Sequence, residues 1–173
     1  MMDKLFKQGL LVFVVSNLLI LWLYIFSGSF VVDVSIVTAN IFTFVLNNIY
    51  ICLLLKTVNY YNSIKNYTIV RIGNKKFDEI VLSRLFSTDI LTIVIGYIFP
   101  MFLYFNNFYN HYHYATFVAI QYILFTLYMI IIFLYMKITN KYLKALILLI
   151  PFVINMSTQI LFFQFPEKIL FHL

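Results

Sequence analysis

Runs of about 20 apolar residues, each bounded by polar or basic residues, are the feature that most limits how this chain can fold. At 1.5 Å per residue, a helix of this length spans about 28 Å, which is close to the hydrocarbon thickness of a bilayer. Only 10% of the residues are charged, whereas soluble domains carry roughly 25%. The predicted fold class is therefore all-α, a polytopic transmembrane helical bundle that forms a single integral membrane domain over residues 1–173.

The apolar runs predict five membrane spans, and Lys and Arg predict their direction. Eleven of the 12 basic residues lie at the N-terminus, in a polar loop, or between the last two spans. The positive-inside rule therefore places the N-terminus in the cytoplasm of a multi-pass cell-membrane protein. The predicted spans are 9–27, 34–55, 90–105, 115–136 and 143–163, and the predicted cytoplasmic loop is 56–89.

The loop 56–89 contains a turn and a short amphipathic segment. Gly73 and Asn74 are typical turn residues. After them, apolar side chains recur at helical spacing up to Leu85, with charged residues on much of the opposite face. The pattern predicts a short cytoplasmic amphipathic helix that lies on the membrane or on a partner protein.

Amide and hydroxyl side chains lie inside several predicted spans. A lone amide is unfavourable in lipid, so each should face another helix or a wet cavity. Two interpretations stay open: hydrogen bonds that hold helices together, or a polar seam that lines a substrate path. The candidate path residues are Asn40, Thr43, Asn47, Gln121, Asn155 and Gln159.

No set of acid, base, nucleophile or metal ligands converges in the sequence, so we expect a protein that is not an enzyme and has no cofactor. The Walker pattern for ATP binding is absent. Cys52 is the only cysteine, and we expect it to be a buried thiol. Asp89 lies at the edge of a predicted span, so no ionisable group is expected inside the membrane, which argues against a proton-driven transporter.

The net charge of +6 raises the question of nucleic acid as a partner. The basic residues lie at the ends of the predicted spans, as membrane orientation requires. We therefore expect the lipid bilayer, and no nucleic acid, among the partners.

One segment resembles a known family. Residues 69–77, Ile-Val-Arg-Ile-Gly-Asn-Lys-Lys-Phe, and the amphipathic stretch after them are similar to the cytoplasmic loop between the second and third spans of export-type ABC transporter permeases. In that family an Arg, a turn and basic residues precede a short coupling helix, which binds a separate ATPase subunit. The family usually has six spans that end inside, so five spans ending outside suggest a shortened or accessory relative.

The resemblance implies a membrane-spanning permease subunit of an ATP-driven exporter. It would bind a separate ATP-hydrolysing subunit through the loop 56–89, and it would need a second membrane subunit or a homodimer, since five spans enclose little space. The alternative is a non-catalytic membrane binding module, either the substrate-capture subunit of an importer or an immunity-type protein against a peptide toxin. The residues that the resemblance assigns to ATPase coupling are Arg71, Lys75, Lys76, Phe77, Ile80, Val81 and Arg84.

Overall fold

The computed structural model describes residues 7–18, 41–99 and 108–164. These residues are helical apart from two short connections, which confirms the all-α prediction for this part of the chain. Five helices are described: α1 (Lys7–Leu18), α2 (Ile41–Ile72), α3 (Asn74–Ile93, continued by a π-helical turn at Val94–Ile98), α4 (Phe108–Lys137) and α5 (Lys141–Gln164).

Helices α2 and α3 form one long hairpin with Gly73 at its tip. Gly73 has φ 80° and ψ 160°, a backbone conformation that is essentially restricted to glycine. Its amide donates a 2.9 Å hydrogen bond to the Ile69 carbonyl, and its own carbonyl accepts one of 3.2 Å from the Phe77 amide. The single residue between the helices therefore satisfies backbone groups on both sides of the turn.

This hairpin corrects the predicted loop. Residues 56–89, predicted as a loop with a turn and one short helix, are helical except at Gly73, since α2 continues without interruption to Ile72 and α3 begins at Asn74. The predicted short amphipathic helix is the first part of α3 and runs directly into the apolar segment after it. Polarity misled the prediction, because a helix that leaves lipid keeps its backbone hydrogen bonds while its side chains become polar.

Three described helices are long and apolar enough to cross a membrane: Asn74–Ile98, Ala115–Lys137 and Lys141–Ile160. Five spans are not supported. Within the described residues the first helix, Lys7–Leu18, is a shorter apolar helix. Residues 19–27 and 34–40 of the first two predicted spans, and 100–105 of the third, lie outside the described residues.

The core of the bundle is aromatic. The rings of Tyr50 and Phe125 stack with centroids 4.0 Å apart, and Tyr97 meets Phe125 edge-on at 5.9 Å. Helix α1 reaches this core at Val12, which is fully buried and faces Gly96. Large apolar side chains also remain exposed on the outer faces of α4 and α5, a surface that suits lipid better than water. They include Ile123, Ile130, Leu134, Leu146, Leu149 and Val153.

Candidate functional site

Three helices of the bundle place amide side chains at one point. Asn47 of α2 donates through Nδ2 to Gln121 Oε1 of α4 at 3.2 Å and to Asn155 Oδ1 of α5 at 3.0 Å. All three side chains are fully buried. The structure thus brings together three of the residues that the sequence predicted for a polar seam.

Tyr97 completes this group from α3, and the sequence prediction missed it. Its hydroxyl donates a 2.7 Å hydrogen bond to Asn47 Oδ1. Tyr97 lies in the π-helical turn Val94–Ile98, next to Gly96, and such turns change the side-chain register of a helix and recur at functional sites. A buried phenol needs a hydrogen-bond partner, so a Tyr inside an apolar span was the signal available in the sequence.

Two further predicted residues extend the group along α2 and α5. Thr43 Oγ1 donates to Gln159 Oε1 at 3.2 Å. Thr43 lies one helical turn from Asn47, and Gln159 one turn from Asn155. Asn40, also predicted for the seam, lies outside the described residues. We call the following six residues the amide cluster: Thr43, Asn47, Tyr97, Gln121, Asn155 and Gln159.

Three amide nitrogens of the amide cluster have no hydrogen-bond partner among the described residues: Gln121 Nε2, Asn155 Nδ2 and Gln159 Nε2. All of their carboxamide oxygens accept hydrogen bonds within the cluster. An unpaired buried donor costs about 1–3 kcal/mol. The amide cluster therefore presents a surplus of N–H donors, which suits a ligand or water molecules that carry acceptor oxygens.

The amide cluster does not coincide with the groove found on the bundle surface. That groove has a volume of about 430 Å³, is largely apolar, and runs along α2 beside α1. Cys52, expected to be buried, is exposed and lines this groove. The residues that line it are Leu11, Val45, Asn48, Ile49, Cys52, Leu53 and Lys56.

The residues predicted for ATPase coupling separate into two groups. Arg71, Lys75 and Lys76 are exposed around the hairpin tip, and Ile80 on α3 is 39% exposed. Phe77, Val81 and Arg84 instead point into the bundle, at 1%, 0% and 7% exposure. A partner protein that approaches the tip would meet the first group and not the second, because α3 packs against α2 along its apolar face.

An ion pair marks the level at which the hairpin leaves the rest of the bundle. Lys137, the last residue of α4, pairs with Asp78 of α3, and both side chains are partly exposed. On α2 the ring of Tyr61 packs against Phe77 at 6.1 Å, close to the same level. The eleven residues of α2 after Tyr61 therefore extend the hairpin by about 16 Å beyond this ion pair.

The projecting tip combines charge with exposed apolar surface. Tyr67 is 80% exposed and Val70 is 87% exposed. They lie within one turn of Arg71 on the last two turns of α2. Exposed apolar residues rimmed by charged ones mark interaction surfaces. We call Tyr67, Val70, Arg71, Lys75 and Lys76 the hairpin tip.

Asp89 corrects another expectation. The sequence predicts that it lies at the edge of a span. In the structure it lies well within the helix Asn74–Ile98, and its side chain is fully buried. The nearest hydrogen-bonding group on α4 is Thr126, whose Oγ1 is 3.5 Å from Asp89 Oδ2. Asp89 Oδ1 has no hydrogen-bond partner among the described residues. An ionisable group does therefore lie inside the apolar bundle, and the argument against proton coupling no longer holds.

Arg84 is the second buried charged residue of α3. Its Nη1 has no hydrogen-bond partner within the described part of the chain. It lies near Tyr61 of α2, where burial raises the pKa of the Tyr61 hydroxyl above its ordinary value and the charge of Arg84 opposes that shift. Arg84 therefore supports the packing between the two arms of the hairpin and is not available to a partner at the tip.

Within residues 7–18, 41–99 and 108–164, no group of three or more His, Cys, Asp or Glu side chains is placed to hold a metal ion. Comparison with known proteins gives no assignment either, since no protein-family model, no curated protein and no solved structure matches this chain. The site is therefore interpreted from its own geometry.

Proposed function

We propose that the chain is a membrane-spanning permease subunit of an ATP-driven exporter, in which the hairpin tip binds a separate ATP-hydrolysing subunit. The observation that carries this proposal is the projection of the α2–α3 hairpin about 16 Å beyond the Lys137–Asp78 ion pair, with exposed basic and apolar residues at its end.

The location of the charges gives the orientation in this proposal. Basic residues occupy the hairpin tip and the start of α5, at the same end of the bundle as Lys137. The positive-inside rule favours a cytoplasmic location for this end, which is where an ATPase subunit meets its substrate. The protein would then be a multi-pass protein of the cell membrane with a cytoplasmic N-terminus.

The form of the tip favours a protein partner with an acidic groove. Arg71, Lys75 and Lys76 supply positive charge on both sides of Gly73. Tyr67 and Val70 supply apolar area, which contributes about 25 cal/mol for each Å² buried in a complex. A single rigid turn holds these groups close together, so little conformational entropy is lost on binding.

In this proposal the amide cluster forms part of the substrate path, and a second membrane subunit completes it. The amide cluster lies at the meeting point of four helices, away from the groove on the surface. Only 11% of the most apolar stretch of the helix Lys141–Ile160 is buried within the bundle. The outer face of α5 is therefore available for a homodimer or for another membrane subunit.

Charge reversal at the hairpin tip tests the proposal. The variant R71E/K75E/K76E is compared with K141E, which reverses an exposed charge at the same end of the bundle but outside the hairpin. Each is purified in mild detergent from the native host and examined by native mass spectrometry. We expect a P-loop ATPase to copurify with the wild type and with K141E, and its recovery to fall at least about tenfold with the triple variant, as a loss of about 1.4 kcal/mol or more implies.

Two results would contradict the proposal. One is recovery of the intact wild-type protein without any ATPase. The other is equal loss of the ATPase in the triple variant and in K141E, which would indicate a general charge effect. Helical content by circular dichroism serves as the folding control, because the reversed residues are exposed.

A second candidate function is favoured by the three unpaired amide nitrogens of the amide cluster. They suit a non-catalytic binding module that captures a small molecule with acceptor oxygens, such as the substrate-capture subunit of an importer. A small molecule that is released on denaturing the purified wild type, and that is absent from N47A but present in N48A, would favour this function over the exporter subunit.

A further inference from the structure

We propose that Asp89 is a proton-binding site at the centre of the bundle, which carries a proton in the packed arrangement and releases it when the bundle opens to water. This inference does not depend on the proposed ATPase partner.

The depth of Asp89 is the first observation. Asp89 lies eleven residues after Asp78 on α3, and Thr126 lies eleven residues before Lys137 on α4. Asp78 and Lys137 form the ion pair. Asp89 and Thr126 are therefore each about 16 Å along their helix from this ion pair. A bilayer has a hydrocarbon thickness of about 30 Å. If the ion pair lies at one surface of the hydrocarbon layer, Asp89 and Thr126 lie near its midplane.

The surroundings of Asp89 favour its neutral form. A buried carboxylate needs donors for both oxygens, but Asp89 Oδ1 has none among the described residues, and the contact between Oδ2 and Thr126 Oγ1 is long, at 3.5 Å. Thr126 Oγ1 is closer to the Tyr122 carbonyl, at 2.9 Å. Its single hydroxyl proton is therefore directed to that carbonyl, and a lone pair is left for Asp89.

The Tyr50 hydroxyl, which faces Asp89 from helix α2, is also directed to a backbone carbonyl. The Tyr50 hydroxyl lies beside Asp89, and it donates its proton to the Phe125 carbonyl at 3.2 Å. Each of these two hydroxyls has a backbone carbonyl to donate to, so each can accept a hydrogen bond from a protonated Asp89. Such a site can hold a neutral carboxyl.

Among the residues that the structure describes, no positive charge is placed to keep Asp89 ionised. Arg84 is the nearest cation along α3, five residues earlier in the sequence, and in the described residues it makes no ion pair with Asp89. From α2 the titratable group at Asp89 is Tyr50, and α4 contributes Thr126 beside Asp89 and Tyr122 near Tyr50. An isolated carboxylate in such a place is costly enough that it takes up a proton instead.

The proton step is a simple transfer. A hydronium ion or water gives its proton to the Asp89 carboxylate when the bundle is open, and the neutral carboxyl is then enclosed between α2 and α4. Ionisation of Asp89 destabilises the closed arrangement, so raising the pH should loosen the helix segment around Asp89. Nothing is oxidised or reduced, and the proton returns to water on release.

Infrared spectroscopy of the protein in lipid nanodiscs tests the proposal, because a neutral carboxyl has a carbonyl stretch that a carboxylate lacks. The variants are D89N and, as the matched control on the same helix, E79Q, which changes an exposed acid. At about pH 7, where an exposed aspartate is ionised, we expect the neutral-carboxyl band in the wild type and in E79Q and its absence in D89N. Absence of the band in the wild type, or its persistence in D89N, would overturn the proposal.

Three further measurements keep the test decisive if D89N does not fold. In wild-type protein with ¹³C-labelled aspartate, the band should shift; an unshifted band would assign it to another group. The variant T126V should keep the band at an altered frequency. Hydrogen exchange of residues 84–93, corrected for the intrinsic effect of pH, should accelerate at least about tenfold in the wild type between about pH 6 and pH 9. An unchanged exchange rate would overturn the inference that ionisation of Asp89 loosens this helix segment.

Discussion

Tyr97 donates a 2.7 Å hydrogen bond to Asn47 Oδ1 across the two arms of the hairpin. The Nδ2 atom of Asn47 donates to α4 and α5, so this side chain is bonded to three other helices, α3, α4 and α5. Removing Asn47 would take a donor from the oxygens of Gln121 and Asn155 and an acceptor from the Tyr97 hydroxyl. Asn47 is thus the residue on which the polar contacts of the bundle centre depend.

The variant N47A should destabilise the bundle by about 1–3 kcal/mol, because several buried polar groups lose their partners at once. The matched control is N48A. Asn48 is the next residue, but within the described part of the chain its Nδ2 bonds to the Phe44 carbonyl of its own helix, and its loss should cost less than about 0.5 kcal/mol. Unfolding in mixed micelles measures both, and equal effects of the two variants would contradict a central role for Asn47.

The variant G73A should destabilise the hairpin by about 1–3 kcal/mol through backbone strain alone. Gly73 has φ +80°, and an added Cβ would meet no atom within 4 Å. N74A, one residue later, has an ordinary helical backbone and should have little effect. Hydrogen exchange at the hairpin end and thermal unfolding measure the difference in stability between G73A and N74A. A G73A protein as stable as N74A would show that the turn does not require glycine.

The variant G96L should disrupt the packing of α1 against the hairpin. A Cβ at Gly96 would lie 3.3 Å from Val12 Cγ1 and 3.6 Å from Leu46 Cδ1, so a larger side chain must displace one of these helices at a cost of about 1–3 kcal/mol. A119L adds the same side chain at an exposed position of α4 and should be tolerated. Protease protection of α1 distinguishes the two, and equal protection would contradict the close approach of α1.

The ion pair between Lys137 and Asp78 should contribute little energy but should specify how α4 meets the hairpin. Both side chains are partly exposed, so D78N should cost less than about 1 kcal/mol, and less still at high salt. The exchanged pair D78K/K137D should recover most of the loss that D78K causes alone. A double-mutant cycle measures this recovery. No recovery would mean that the two residues do not interact.

The Tyr61 hydroxyl should titrate above the ordinary range of tyrosine. Burial raises its pKa, and the positive charge of Arg84 opposes this, so R84L should raise it further. Since the folded pKa exceeds the unfolded value, the associated stability is present below the unfolded pKa and is lost as the pH rises through the folded one. The absorbance titration of the wild type minus that of Y61F isolates this group. A lower pKa in R84L would contradict the contact.

Much of the helical content could be predicted from the sequence, because runs of about 20 apolar residues leave no other structure for the backbone in lipid. The extent of α2 and α3 could not. Beyond Lys56 the side chains become polar and resemble a loop, yet the backbone continues as helix because the two arms of the hairpin pack against each other through Tyr61, Phe77 and Val81. That packing depends on residues that are distant in sequence.

The sequence by itself determined that the chain is apolar and helical, that most of its basic residues lie beside its apolar runs, and that the amides inside those runs need partners. Only the tertiary structure decided that those amides meet each other and Tyr97, and that Asp89 is buried between Tyr50 and Thr126. The reason is physical: helical periodicity fixes which face a side chain occupies, whereas its partner depends on how helices pack.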